Sequence, residues 1–150
     1  MESKTVVDVF VDGARKGWSI GVSNVMPNVL MAFVLIQVLK VTGILTLLGK
    51  VFGPVMAIFG LPGESIAVLM GSWLSMGGGV GVAASLYAGK TLTMSHVTIL
   101  IPAIFLMGSQ IQYMGRLLGT AGVQTRHYPV LFGISILNAV ISMLIMRFVA

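Results

Sequence analysis

Ser75, Ser85, Ser109, Gln110 and Gln112 are uncharged polar side chains set inside otherwise apolar runs, and Asn24 and Asn28 interrupt a third. Hydroxyls and carboxamides both donate and accept hydrogen bonds, so this set suits the holding of a neutral polar solute. It does not suit catalysis. There is no cysteine, and His96, His127 and Glu64 lack metal-ligand spacing. No nucleophile–base pair is evident either, so neither an enzyme nor a metal or cofactor is expected.

Glycine accompanies the polar residues. Between Ser75 and Ser85, glycines occupy 77, 78, 79 and 81, inside a run from Ser65 to Gly89 that carries no charge and is long enough to cross a bilayer. Each glycine in a helix costs about 1 kcal/mol relative to alanine. A helix broken over Gly77–Gly81 is therefore expected. Backbone freed at membrane depth must be satisfied by protein or by a water-filled cavity, which points to a binding site. The competing explanation is close helix packing, because Gly77, Gly81 and Ser85 fall at small-xxx-small spacing.

The second interruption is Gly108-Ser-Gln-Ile-Gln-Tyr-Met-Gly-Arg116, which follows the apolar run Leu92–Met107. On a continuous helix Gln110 and Gln112 would point about 200° apart. They share one cavity only if the chain unwinds near Gly108–Ser109, so a non-helical or strongly distorted backbone is expected between Gly108 and Gln112, close to the Gly77–Gly81 run. Arg116 is assigned to the interface, its stem lying along the apolar surface. Asn24 and Asn28 lie one turn apart beside Pro27, as interhelical glue or as ligand contacts.

The elements that must position these groups follow from composition. Apolar residues make up 57% of the 150-residue chain and charged residues 9%, with mean hydropathy +1.02. A soluble domain carries about 25% charged residues, so this is an integral membrane protein forming a single domain over 1–150. The net charge of +5 is scattered singly between apolar runs, as membrane anchors are, and is no nucleic-acid footprint. The first residues lack the pattern of a signal peptide. Instead Val7, Val11, Ala14 and Trp18 predict an amphipathic interfacial helix from about Lys4 to Lys16, with Lys4–Asp8 and Asp12–Lys16 pairs. A first span follows from about Gly17 to Leu39. Gly43–Gly60 suits an interfacial or re-entrant helix, and Glu64 a helix start. The last span runs from about Tyr128 to Met146, with Asn138 at its middle. The expected fold is all-α and polytopic, with four or five membrane segments, two of them broken or re-entrant.

Four elements occur in order: Phe10-Val-Asp-Gly-Ala-Arg-Lys-Gly17, Leu61-Pro-Gly-Glu64, Ser75–Ser85, and Leu106-Met-Gly-Ser-Gln110 with Gly115-Arg116. Together they resemble the small nucleoside-recognition Gate-domain membrane proteins, of the YjiG and spore maturation protein B type. The Gly77–Gly81 run is nearer the YjiG-like branch, which argues against a sporulation role. The resemblance implies a multi-pass protein of the bacterial inner (cytoplasmic) membrane that works with a second Gate-domain subunit. It also implies kinship with the Gate region of concentrative nucleoside transporters, where broken helices bind solute and ion.

The expected function is one subunit of a transporter for a small polar solute, with or without a coupling ion. Its binding residues would be Asn24, Asn28, Ser75, Gly77, Gly78, Gly79, Gly81, Ser85, Ser109, Gln110 and Gln112. Too few spans are available to enclose a pathway alone, so a paralogous partner or a homo-oligomer is expected. The alternative is a non-transporting assembly subunit whose glycines only pack.

Overall fold

Thr5 opens the first helix by a reciprocal cap. Its hydroxyl accepts the Asp8 N–H at 3.2 Å, and the Asp8 carboxylate accepts the Thr5 N–H at 2.9 Å. Asp8 thus serves Thr5, and Lys4, its expected partner, lies outside the described residues. The computed structural model describes residues 5–150, apart from the side chains at positions 24, 28, 115 and 116. Helix α1 (Val6–Ile20) passes through a π-helical turn at Gly21–Val25 into α2 (Met26–Val41). The expected boundary between interfacial helix and span is therefore a distortion of one helical run rather than a gap. No residue of α1 is buried, whereas Ala32 and Ile36 of α2 enter the core.

Gly43, at φ +76°, turns the chain into α3 (Ile44–Ala57), which lies at 89° to Val29–Val41 of α2. A left-handed residue is what so sharp a reversal needs, and glycine adopts it without penalty. The Arg147 guanidinium, from the far end of the chain, donates to the Ile58 carbonyl and closes the end of α3. A short 3₁₀ turn, Gly63–Ser65, then leads into α4 (Ile66–Leu74). Glu64 stands in that first turn, half-buried against α3: a Cβ placed on Gly49 would sit 2.6 Å from its Oε1.

Helices α4 and α5 (Met76–Ala88) fold back on each other around the single extended residue Ser75 (φ −160°, ψ 135°). With 9 and 13 residues they are about 14 and 20 Å long, too short to cross a hydrocarbon core of about 30 Å. The pair is a helical hairpin, neither arm of which spans such a core alone. This corrects the expected site of the break. Gly77–Gly81 is regular helix, and the irregular backbone lies just before it. Contact explains why the glycines stay helical: a Cβ on Gly79 would meet Ser72 Oγ at 2.0 Å, and one on Gly81 would meet Ala32 Cβ at 3.0 Å. Gly79 lets α5 close on α4, and Gly81 lets it close on α2. Packing outweighs the propensity cost here.

Helix α6 (Met94–Met107) starts at a second reciprocal cap, in which Thr93 Oγ1 accepts the His96 N–H and His96 Nδ1 accepts the Thr93 N–H. After a break at Gly108–Ser109 the chain continues as α7 (Gln110–Tyr113) and a π-helical turn, Met114–Leu118. Met94–Tyr113 together form one apolar span. The last helix, α8 (Tyr128–Val149), packs along α6 through Ala139 and Met143. The expected all-α membrane architecture holds: among the described residues two helices are long and apolar enough to cross a membrane, or three spans form if the bent α2–α3 pair is one. The core sits where the α4–α5 hairpin meets α2, α3 and α6.

Candidate functional site

A helix end leaves backbone groups unpaired, and a break leaves two ends at once. Here the two breaks serve each other. At the first, the carbonyls of Ser72 and Leu74 end α4 and the Met76 N–H begins α5. At the second, Ser109 and Gln112 supply the partners. The Ser109 N–H donates to the Ser72 carbonyl at 2.7 Å, its Oγ accepts the Met76 N–H at 3.1 Å, and Gln112 Nε2 donates to the Leu74 carbonyl at 2.7 Å. Ser75 keeps its own hydroxyl for the Gly78 N–H, at 3.4 Å.

Ser109 holds this arrangement in the left-handed region, at φ +58°. Non-glycine residues seldom sit there, and the conformation aims both its N–H and its hydroxyl at the hairpin tip. Gly108 makes the approach possible, since a Cβ there would stand 2.7 Å from the Ile104 carbonyl oxygen and 3.0 Å from Met76 Cβ. The Leu106 carbonyl accepts from the Ser135 hydroxyl of α8 at 2.6 Å. The expected distortion is thus present at Gly108–Ser109, beside the glycine run, but it does not extend to Gln112, because helix resumes at Gln110.

The two glutamines part company across α7. Gln112 turns to α4, whereas Gln110 is buried and sends Nε2 to the Phe132 carbonyl of α8 at a weak 3.4 Å. The shared cavity expected for both amides does not form, because α7 resumes helical geometry immediately after Ser109 and keeps them on different faces. Gln110 instead lines a cleft of about 190 Å³ with Tyr113, Leu117, Leu131, Phe132 and Ser135.

Two buried polar atoms in this region have no partner among the described residues: Gln110 Oε1, an acceptor, and Trp73 Nε1, a donor. Both side chains abut Phe132, whose ring centroid lies 5.6 Å from that of Trp73. An unpaired buried polar group costs about 1–3 kcal/mol, so such atoms call for a ligand, water or partner. Trp73 was absent from the expected site, although an indole N–H within an apolar helix was a visible signal.

The other expected site residues are dispersed. Ser75 and Ser109 meet at the double break. Gly78, Gly79 and Gly81 are buried in helix contacts, Gly77 is half-buried, and Ser85 lies ten residues along α5, about 15 Å from the tip. The side chains of Asn24, Asn28 and Arg116 lie outside the described residues. No group of three His, Asp or Glu that could hold a metal occurs among the described residues.

Residues 22–121, which take in both breaks and the α4–α5 hairpin, match the family model described as Gate, nucleoside recognition. The chain belongs to that Gate family. It is 49% identical over 146 residues to the inner membrane protein YjiG of Escherichia coli strain K12, covering 97% of this chain and 95% of the relative. The YjiG proteins of the O6:H1 and O157:H7 strains match equally. No solved structure matches. The Gate chain described here is an inner-membrane protein, and the matched stretch includes all the elements that build the double break.

Proposed function

We propose that this Gate protein is one subunit of a membrane transporter for a small polar solute of the nucleoside class. The observation that carries the proposal is the unsatisfied Gln110 Oε1 in the cleft beside the double helix break; Phe132, which lines that cleft, also packs on Trp73, whose Nε1 is unpaired too. A nucleoside offers donors and acceptors for both atoms and an apolar base face for the aromatic rings. Gate-family membership in an inner-membrane protein supports the same reading. Ligand pockets typically occupy about 300–1,000 Å³. The Gln110 cleft, at about 190 Å³, falls short of that in a single chain. A partner, either a second Gate-domain subunit or another copy, would complete the wall and the pathway.

The alternative is a non-transporting assembly subunit, favoured by the dry packing of Gly79 and Gly81 against α4 and α2. Binding separates the two. With the membrane complex purified intact, nucleosides should bind, and Gln110→Leu should weaken binding about tenfold or more while the protein stays folded. The leucine removes an orphaned acceptor, so the fold has little to lose. A complex that binds no nucleoside, or a Gln110→Leu variant that binds normally, would favour the assembly role.

A further inference from the structure

Helix α8 is the less covered of the two unbent candidate spans: 11% of its most apolar stretch is buried within the chain, against 39% for Met94–Tyr113. Its polar side chains between Tyr128 and Met146 are Ser135, Asn138 and Ser142. Ser135 donates to Leu106 and Ser142 to Ala139. Asn138 is exposed and has no hydrogen-bond partner among the described residues. It lies ten residues from Tyr128, about 15 Å along the helix axis, which puts its amide near the middle of a hydrocarbon core about 30 Å thick. Lipid tails cannot hydrogen-bond it, so that depth demands a protein partner.

Leu131, Ile134, Asn138, Ile141, Ile145 and Phe148 are spaced 3, 4, 3, 4 and 3 residues apart, and all are exposed. That is a heptad seam, with Asn138 at an a position and isoleucines at the neighbouring d positions. Exposed apolar residues are ordinary on a lipid-facing helix. A polar residue on the seam and at mid-depth is not.

We propose that this face of α8 is a dimer seam that packs against α8 of a second copy, in parallel and about a two-fold axis normal to the membrane. The carboxamide is self-complementary, since each copy supplies an N–H donor and a carbonyl acceptor. Two copies inserted with the same topology bring their Asn138 residues to the same depth without further adjustment. An unrelated helix would need a polar group at that one level. A single polar a position also fixes register, which an all-apolar seam leaves loose. The inference rests on α8 alone and is independent of the transported solute.

The chain has no native cysteine, so single cysteines can map the seam in the full-length protein in its own membrane. Oxidation should cross-link Ile134→Cys and Ile141→Cys into a species of twice the 15.8 kDa chain mass. Gly133→Cys, on an open part of the helix away from the seam, should remain monomeric. In detergent, Asn138→Leu should raise the dimer dissociation constant about tenfold, and Asn138→Gln less. Leucine is more apolar than asparagine, so this variant does not impair insertion. Equal cross-linking at Gly133→Cys, an adduct formed only with another protein, or an unchanged constant in Asn138→Leu would each overturn the seam.

Discussion

Ser109 and Met76 are 33 positions apart in the chain, yet the hydroxyl of one accepts the backbone N–H of the other at 3.1 Å. Together with the 2.7 Å bond from the Ser109 N–H to the Ser72 carbonyl, this contact joins two helix breaks into one structural unit. Each break would be costly alone in an apolar environment. Joined, they place irregular backbone inside protein, and they leave the unsatisfied side-chain atoms to Gln110 and Trp73 rather than to the main chain.

Ser109→Ala should therefore destabilise the protein as well as disturb any site beside it. The alanine leaves the Met76 N–H without its acceptor, a loss of about 1 kcal/mol, the lower end of the usual range because the bond is only part-buried. It also keeps a Cβ in the left-handed region. Ser109→Gly loses the same hydroxyl but relaxes the backbone, so it should be the more stable of the two. Thermal unfolding in detergent measures the order. Equal stability of wild type and Ser109→Ala would show that the hydroxyl does not hold the junction.

How far the sequence foretold this unit depends on what each residue's role rests on. Gly108–Ser109 was legible, because a glycine and a polar run inside a span have few helical uses. The Ser75 break was placed a few residues late. Helix propensity singles out Gly77–Gly81, and only the position of Ser72 and Ala32 in space shows that those glycines are contact surfaces. The divergence of Gln110 and Gln112 follows from helical geometry once α7 is seen to resume at Gln110. Trp73 shows in the sequence as an indole N–H within an apolar helix, but only the structure shows that no described residue accepts its hydrogen bond.

Gly79→Ala tests the packing of the hairpin. A methyl group there would overlap Ser72 Oγ and stand 3.0 Å from Ser72 Cα, which is backbone and cannot swing aside. Overpacking of this kind costs about 1–3 kcal/mol, and the backbone contact puts this case toward the upper end. Gly53→Ala meets no atom within 4 Å and should be neutral or slightly stabilising. Combining Gly79→Ala with Ser72→Gly removes the nearest obstacle and should restore part of the loss. Comparing the unfolding temperatures of the single and double variants settles whether the two residues couple.

Acid should loosen the start of α1. The hydrogen bonds from the Thr5 hydroxyl and N–H hold the Asp8 carboxyl below its ordinary value of 3.8. A carboxyl with a lowered folded-state pKa contributes stability that is fully present above the unfolded value and disappears as pH falls through the folded one. The first turn of α1 should accordingly be protected from amide exchange at neutral pH and fray only below about pH 4, the free aspartate range. Asp8→Asn should abolish that pH dependence. Fraying that begins near pH 6 would point to a different titrating group.

Trp73→Phe separates a structural indole from a recognition one. Phenylalanine preserves a ring opposite Phe132 and removes the unpaired Nε1–H, which offsets part of the volume lost from the core. The net change in stability should be small, about 1 kcal/mol or less. If the Nε1–H donates to a bound solute, nucleoside affinity should fall by about tenfold, the effect of removing one hydrogen bond of about 1.4 kcal/mol. The combination with Gln110→Leu then decides whether the two atoms grip one molecule. Groups that contact the same ligand give a double variant whose loss differs from the sum of the single losses, whereas independent groups add. Isothermal titration of the intact complex measures all four proteins. Unchanged affinity in Trp73→Phe would remove the indole from the site and leave Gln110 as its polar contact.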